Sequence, residues 1–116
     1  MKAPLRLNYL CRLGLTLAAL VSGADAADTG ILYTTDNSAS GNHVQVITRT
    51  GQTLSLGTAY ATGGLGSGSS PGLPSQGSVL LSSDSQWLFV RNAGSDEISV
   101  FETLPNGQLR LTDKVN

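Results

Sequence analysis

From residue 30 onward, apolar positions alternate with polar or small ones. Val44/Val46, Leu54/Leu56, Ile98/Val100 and Leu109/Leu111 each keep this spacing. A period of two is the signature of half-buried β-strands. Two further runs, Val79-Leu80-Leu81 and Trp87-Leu88-Phe89-Val90, are apolar without interruption, as expected of strands covered on both faces. Turn chemistry separates the runs. The side chains of Ser82-Ser83-Asp84-Ser85 can bond the local backbone, and Pro105-Asn106-Gly107 pairs a fixed φ with a residue that accepts a positive one. Strands are therefore expected over 30–36, 43–49 and 53–60, and again over 77–82, 86–92, 97–103 and 108–115. No helical period occurs in this region. The fold class is all-β and antiparallel.

The two groups of strands repeat one another. Ile31-Leu32-Tyr33-Thr34-Thr35-Asp36-Asn37 is echoed by Trp87-Leu88-Phe89-Val90-Arg91-Asn92-Ala93. His43-Val44-Gln45-Val46-Ile47 is echoed by Glu97-Ile98-Ser99-Val100-Phe101, and Gly51-Gln52-Thr53-Leu54 by Gly107-Gln108-Leu109. The offset is 54 at Val44/Ile98 and 56 at Gly51/Gly107. A β-rich unit recurring at about 50 residues points to four-stranded propeller blades. A closed propeller needs about four to eight blades, and 116 residues cannot hold them. The expectation is an N-terminal fragment with two incomplete blades. Residues 27–60 supply strands B, C and D of the first, and residues 77–116 supply the second.

The N-terminus follows other rules. Lys2, Arg6 and Arg12 precede the apolar run Leu13–Val21, and small residues lead to Ala24-Asp25-Ala26. A basic start, a short apolar stretch and an A-x-A-like site describe a secretory signal peptide over residues 1–26. The apolar run is well short of the roughly 20 residues of a spanning helix, so no stable membrane anchor is expected after cleavage, and the protein is expected to be exported. Cys11 leaves with this segment, which removes disulfides, cysteine metal sites and a cysteine nucleophile from the mature chain. Arg49, Arg91, Arg110 and Lys114 then stand against Asp28, Asp36, Asp84, Asp96, Glu97, Glu102 and Asp113. Four basic against seven acidic side chains give a formal charge of −3. Scattered weak acidity offers no footprint for nucleic acid.

Between the repeats lies the glycine- and serine-rich segment 61–76, whose composition reads as a flexible linker. In a propeller the same connection crosses the face where ligands bind, and long loops in compact folds often carry function. The second repeat, Trp87-Leu88-Phe89-Val90-Arg91-Asn92 with Ile98-Ser99-Val100, resembles the YVTN-type blade, in which aromatic-Val-x-Asn precedes a polar loop and V-S-V. With the glycine-rich loop and Gln76-Gly77-Ser78-Val79-Leu80-Leu81-Ser82, the chain is similar to the lactonase family of seven-bladed propellers. That family includes bacterial 6-phosphogluconolactonases and fungal carboxymuconate-lactonizing enzymes. The resemblance implies a lactone hydrolase in the complete protein, with the other blades as partners and no cofactor. An export signal fits poorly with a cytosolic phosphorylated sugar lactone, so another lactone, a carbohydrate or an extracellular ligand is the expected partner. A non-catalytic propeller acting as a binding or scaffold module is the alternative.

Candidate chemistry is sparse. His43, the only histidine, sits at the B–C loop of the first unit and could serve as general base for lactone opening, since an unperturbed imidazole titrates near neutrality. The loop N–H groups around Gly64, Gly66, Gly68 and Ser69 could form a nest for an oxyanion or carboxylate. Arg91 could hold a carboxylate or phosphate in bidentate fashion, against the plainer readings of a solvated strand end or a pair with Asp96 or Glu97 across its hairpin. Asn92 is expected to bond the backbone of its turn. No phosphate-binding G-x-x-x-x-G-K-[ST] loop or paired histidines occur, and no metal site is expected. If the export reading holds, mass spectrometry of the secreted chain should place its N-terminus at Ala27, within a few residues. An intact Met1 would overturn it.

Overall fold

A computed structural model of the chain describes residues 28–68 and 77–116; the proposed signal segment and Ser69 lie outside the described residues. The first group of strands forms an antiparallel sheet in the order β1 (Thr29–Thr35), β2 (His43–Thr50), β3 (Thr53–Ala61). The second forms a four-stranded antiparallel meander, β4 (Val79–Leu81), β5 (Trp87–Asn92), β6 (Glu97–Thr103), β7 (Leu109–Val115). No α-helix occurs among the described residues, and none there is long and apolar enough to cross a membrane. Each expected strand is present, with no end shifted by more than two residues.

The turns work as their chemistry suggests. Asp84 accepts from Ser82 Oγ and from the Gln86 N–H (3.1 Å), and Ser85 takes the positive φ of 58° that closes the β4–β5 link. The hydrogen bond from Ser82, then that from Gln86, holds the Asp84 carboxyl below the usual carboxylate range. Pro105–Gly107 makes a short 3-10 turn with Asn106 at φ 62° and Gly107 at φ 76°. Glycine is required at its end for a second reason. A Cβ at Gly107 would sit 2.8 Å from the Ile31 side chain on the other sheet.

The sheets pack face to face. Val44 and Val46 meet Leu88, Val90, Phe101 and Leu109, with Tyr33, Tyr60 and Val79 around them. Directly paired residues of an antiparallel ladder share a face, so the register divides each sheet cleanly. In the first, Tyr33↔Val46 and Val44↔Tyr60 point inward, while Leu32↔Ile47↔Leu56 point outward. In the second, Leu88↔Phe101 and Val90↔Ser99 point inward, while Phe89↔Val100 and Arg91↔Ile98 point outward.

Laying the repeat on these faces gives a consistent relation. Leu88, Phe101 and Leu109, buried on the second sheet, are the counterparts of Leu32, Ile47 and Leu54, turned outward on the first. Conversely, the inward Tyr33, Val44 and Val46 correspond to the outward Phe89, Ile98 and Val100. Both ladders also carry a register irregularity at the same place, Gln45/Ile47 and Val100/Phe101. The sheets therefore stack with the same sense, front to back. Each still exposes one apolar face: Leu32, Leu54 and Leu56 on the first, Leu80, Phe89 and Ile98 on the second.

Core and outer positions should respond differently to truncation. Leu88→Ala should lower the unfolding free energy by about 2–5 kcal/mol, by lost transfer and cavity terms. Leu56→Ala, at a position 78% exposed, should stay within about 0.5 kcal/mol. Urea denaturation of the two variants measures the contrast.

Candidate functional site

Three loops meet at one end of the stacked sheets: residues 36–42 between β1 and β2, 62–68 after β3, and 93–96 between β5 and β6. The glycine segment threads between the other two. Gly66 N–H donates to Ser38 O (2.8 Å), Gly94 N–H to Leu65 O (2.8 Å) and Asn42 N–H to Gly64 O (2.9 Å). Residues 62–68 are thus pinned to both sheets, and the linker reading fails for them. Composition pointed to freedom, but small residues here allow close approach. A Cβ on Gly64 would collide with Asn92, and one on Gly66 with the Asn37 backbone.

Beneath the loops lies a buried polar network. Asn42 Nδ2 donates to Asn92 Oδ1 (3.0 Å) and to the Arg91 carbonyl (3.2 Å). Asn92 Nδ2 donates to Ser99 Oγ (2.7 Å), which donates to the Thr62 carbonyl (2.8 Å). Thr62 Oγ1 lies 2.7 Å from Asn92 Oδ1 and 3.0 Å from the Asn42 carbonyl, and its single proton serves one of them. Asn42 Oδ1 is buried without a donor among the described residues. Asn92 was expected to bond its own turn. Its side chain instead crosses to the other sheet, because β5 alternation turns it inward with Leu88 and Val90.

The predicted nest is placed in the same loop. The N–H groups of residues 64–68 donate in turn to Thr62 Oγ1, Ser95 Oγ, Ser38 O, Asn37 Oδ1 and Asn37 O. Gly64, Gly66 and Gly68 therefore have their donors engaged within the chain.

His43 has gained a partner. Its Nδ1 lies 2.9 Å from Asp36 Oδ2, while Asp36 Oδ1 accepts the N–H groups of His43 (3.0 Å) and Ser38 (3.1 Å). Partial burial works to raise the Asp36 pKa, but these three hydrogen bonds and the imidazole outweigh it and hold the carboxyl below its ordinary 3.8. Both side chains remain open to solvent, at 41% for His43 and 44% for Asp36. In the tautomer that donates from Nδ1 to the carboxylate, Nε2 carries the lone pair, and it has no hydrogen-bond partner among the described residues. This is the arrangement in which a carboxylate orients an imidazole for proton transfer. Asp36 was not singled out from the sequence. The available signal was its position immediately before a turn that returns the chain to His43.

Arg91 is exposed near the end of β5 and makes no pair with Asp96 or Glu97, the solvated strand end of the two plainer readings. Glu97 bonds Lys114 (2.7 Å) and Ser95 instead, the Lys114 contact being the main cause of its depressed pKa. Arg49 pairs with Asp28 and Arg110 with Glu102. Arg91 is thus the one basic side chain among the described residues without an acidic partner. It borders an open cleft of about 400 Å³ together with Leu80, Phe89, Asp96 and Ile98. That cleft lies on the outward face of the second sheet. His43, next to the inward Val44, lies on the outward side of the first. Within one chain the two do not share a site. No cluster of three or more His, Cys, Asp or Glu side chains suited to a metal occurs among the described residues.

No protein-family model matches the chain, and searches of curated proteins and of solved structures returned no match.

Asp36 should leave a pH signature. Its folded-state pKa is depressed, so its stabilising effect is fully present above the unfolded value of 3.8 and is lost as pH falls through the folded value. Urea midpoints of the parent and Asp36→Asn should differ at pH 6 and converge as pH falls through the depressed folded-state value. A constant gap across that range would exclude the carboxylate as the cause.

Proposed function

We propose that the two sheets are the first two blades of an exported β-propeller of the lactonase type, and that the loop end carrying Asp36 and His43 handles a lactone in the complete protein. The observation that carries the reading is the same-sense stacking of two sequence-related antiparallel sheets, each with an apolar outward face. A sandwich complete in itself would turn polar residues outward. Further blades, whether in the same chain or in another copy, are the natural cover for such faces.

The chemistry follows from the dyad. Asp36 orients the ring through Nδ1, and Nε2 takes a proton from a water molecule. The water oxygen attacks the lactone carbonyl, the ring C–O bond breaks, and the proton passes to the departing alkoxide to give a hydroxy acid. Positioned proton transfer of this kind contributes about 10²- to 10⁴-fold in rate. Export favours a lactone met outside the cytoplasm over a phosphorylated sugar lactone.

The scaffold alternative has its own support. The loop N–H groups that could have stabilised an oxyanion are engaged within the chain, which suits a propeller that binds without reacting.

The test is hydrolysis of γ- and δ-lactones, followed by base uptake, using the protein extended by the coding sequence beyond Asn116. His43→Gln should lower kcat/KM by about 10²- to 10⁴-fold, and Asp36→Asn by less. Hydrolysis that survives His43→Gln unchanged removes the dyad from the mechanism. No hydrolysis of any lactone would favour the scaffold.

A further inference from the structure

We infer that the two outward apolar faces are complementary to each other, so that copies of this chain associate head to tail, the first sheet of one copy covering the second sheet of the next. The inference rests on the stacking sense of the sheets and does not depend on catalysis by His43.

The buried joint within the chain supplies the template. There Tyr33, Val44 and Val46 of one sheet pack on Leu88, Phe101 and Leu109 of the other. Repeat counterparts of the first set, Phe89, Ile98 and Val100, form the outward face of the second sheet. Counterparts of the second set, Leu32, Ile47 and Leu54, form the outward face of the first. Placing these faces together between two copies recreates the residue types of the existing core. Face-to-self pairing would set Phe89 against Phe89 or Leu56 against Leu56, a contact with no precedent in the chain. The contact is therefore heterologous, and it propagates or closes into a ring.

Charge agrees with this choice of occupant. Arg91 is the counterpart of the inward Thr35, and Asp36 that of the inward Asn92. At a head-to-tail joint, the unpartnered guanidinium of one copy thus arrives at the loop end where the next copy presents Asp36 and His43. Groups that lie on opposite sides of a single chain become neighbours across the joint. The polar clasp is not reproduced, since Asp36 and Gln45 stand where Asn92 and Ser99 stand inside. The association is accordingly reversible and concentration-dependent.

Sedimentation velocity on the 116-residue chain tests the inference. The parent should form species larger than a dimer as concentration rises. Leu56→Lys blocks only the first sheet's face and Phe89→Lys only the second's, so each variant alone should be monomeric. Their equimolar mixture should give a 1:1 dimer and nothing larger, since one working face remains on each. That dimer also demonstrates that both variants are folded, and far-UV circular dichroism provides an independent check. Arg91→Glu should weaken association of the parent several-fold. A parent chain that stays monomeric overturns the inference, as does a dimer of either single variant, which would indicate face-to-self pairing. Unchanged association of Arg91→Glu would overturn the placement of Arg91 against Asp36. Lactone hydrolysis enters none of these readings, so failure here and failure of the enzymatic proposal are distinguishable.

Discussion

The Asn92 side chain sits where two sheets and a loop converge, and it bonds all three. Its oxygen faces Asn42 of the first sheet's loop and Thr62 of the glycine segment, while its nitrogen faces Ser99 within its own sheet. Away from water, an amide with an unmet donor or acceptor costs about 1–3 kcal/mol. A sliding or rotated packing of the sheets would break several of these bonds together. Apolar contacts between Val44, Val46, Leu88 and Phe101 favour burial without specifying register. The polar network supplies that specification, as buried hydrogen-bond networks can.

The same network governs the loop end. Thr62 begins the glycine segment and is anchored to Asn42 and Asn92. From that anchor the segment runs between the β1–β2 and β5–β6 loops, where Gly64 and Gly66 fit against Asn92 and Asn37. Asn37 accepts the Ser67 N–H and holds the 36–42 loop in place, next to the turn in which Asp36 reaches His43. The geometry of the dyad is thus supported by the clasp between the sheets, although neither Asp36 nor His43 belongs to it.

The candidate site was only partly legible in the sequence. His43 could be picked out because imidazole is rare and chemically distinctive, but its orienting partner could not. Asp36 and His43 are seven positions apart, joined by a turn whose path depends on Asn37 adopting a positive φ of 51°. Arg91 was readable as a cation at a solvated strand end, while the alternative pairing with its nearest carboxylates is not made. Strand alternation sends Arg91 outward beside Ile98, whereas Glu97 is taken by Lys114 from β7. The glycine segment misled in the other direction. Small residues serve flexible linkers and tight packing equally well, and only the Asn37 backbone beside Gly66 and the Asn92 side chain beside Gly64 distinguish the two.

By itself the sequence determined the strands, their order and the repeat, because these are local properties. The period of two at Val44/Val46 and Ile98/Val100, the turn at Pro105-Asn106-Gly107 and the echo of one unit in the other depend only on neighbouring residues. Tertiary structure decided which face of each strand is buried. Leu32 and Leu88 are counterparts of the same residue type, yet one is half exposed and the other fully covered. Nothing local separates them. The difference arises because two sheets stacked front to back have one shared interface and two outer faces, and a residue's side of the stack is a relation between sheets that no single strand encodes.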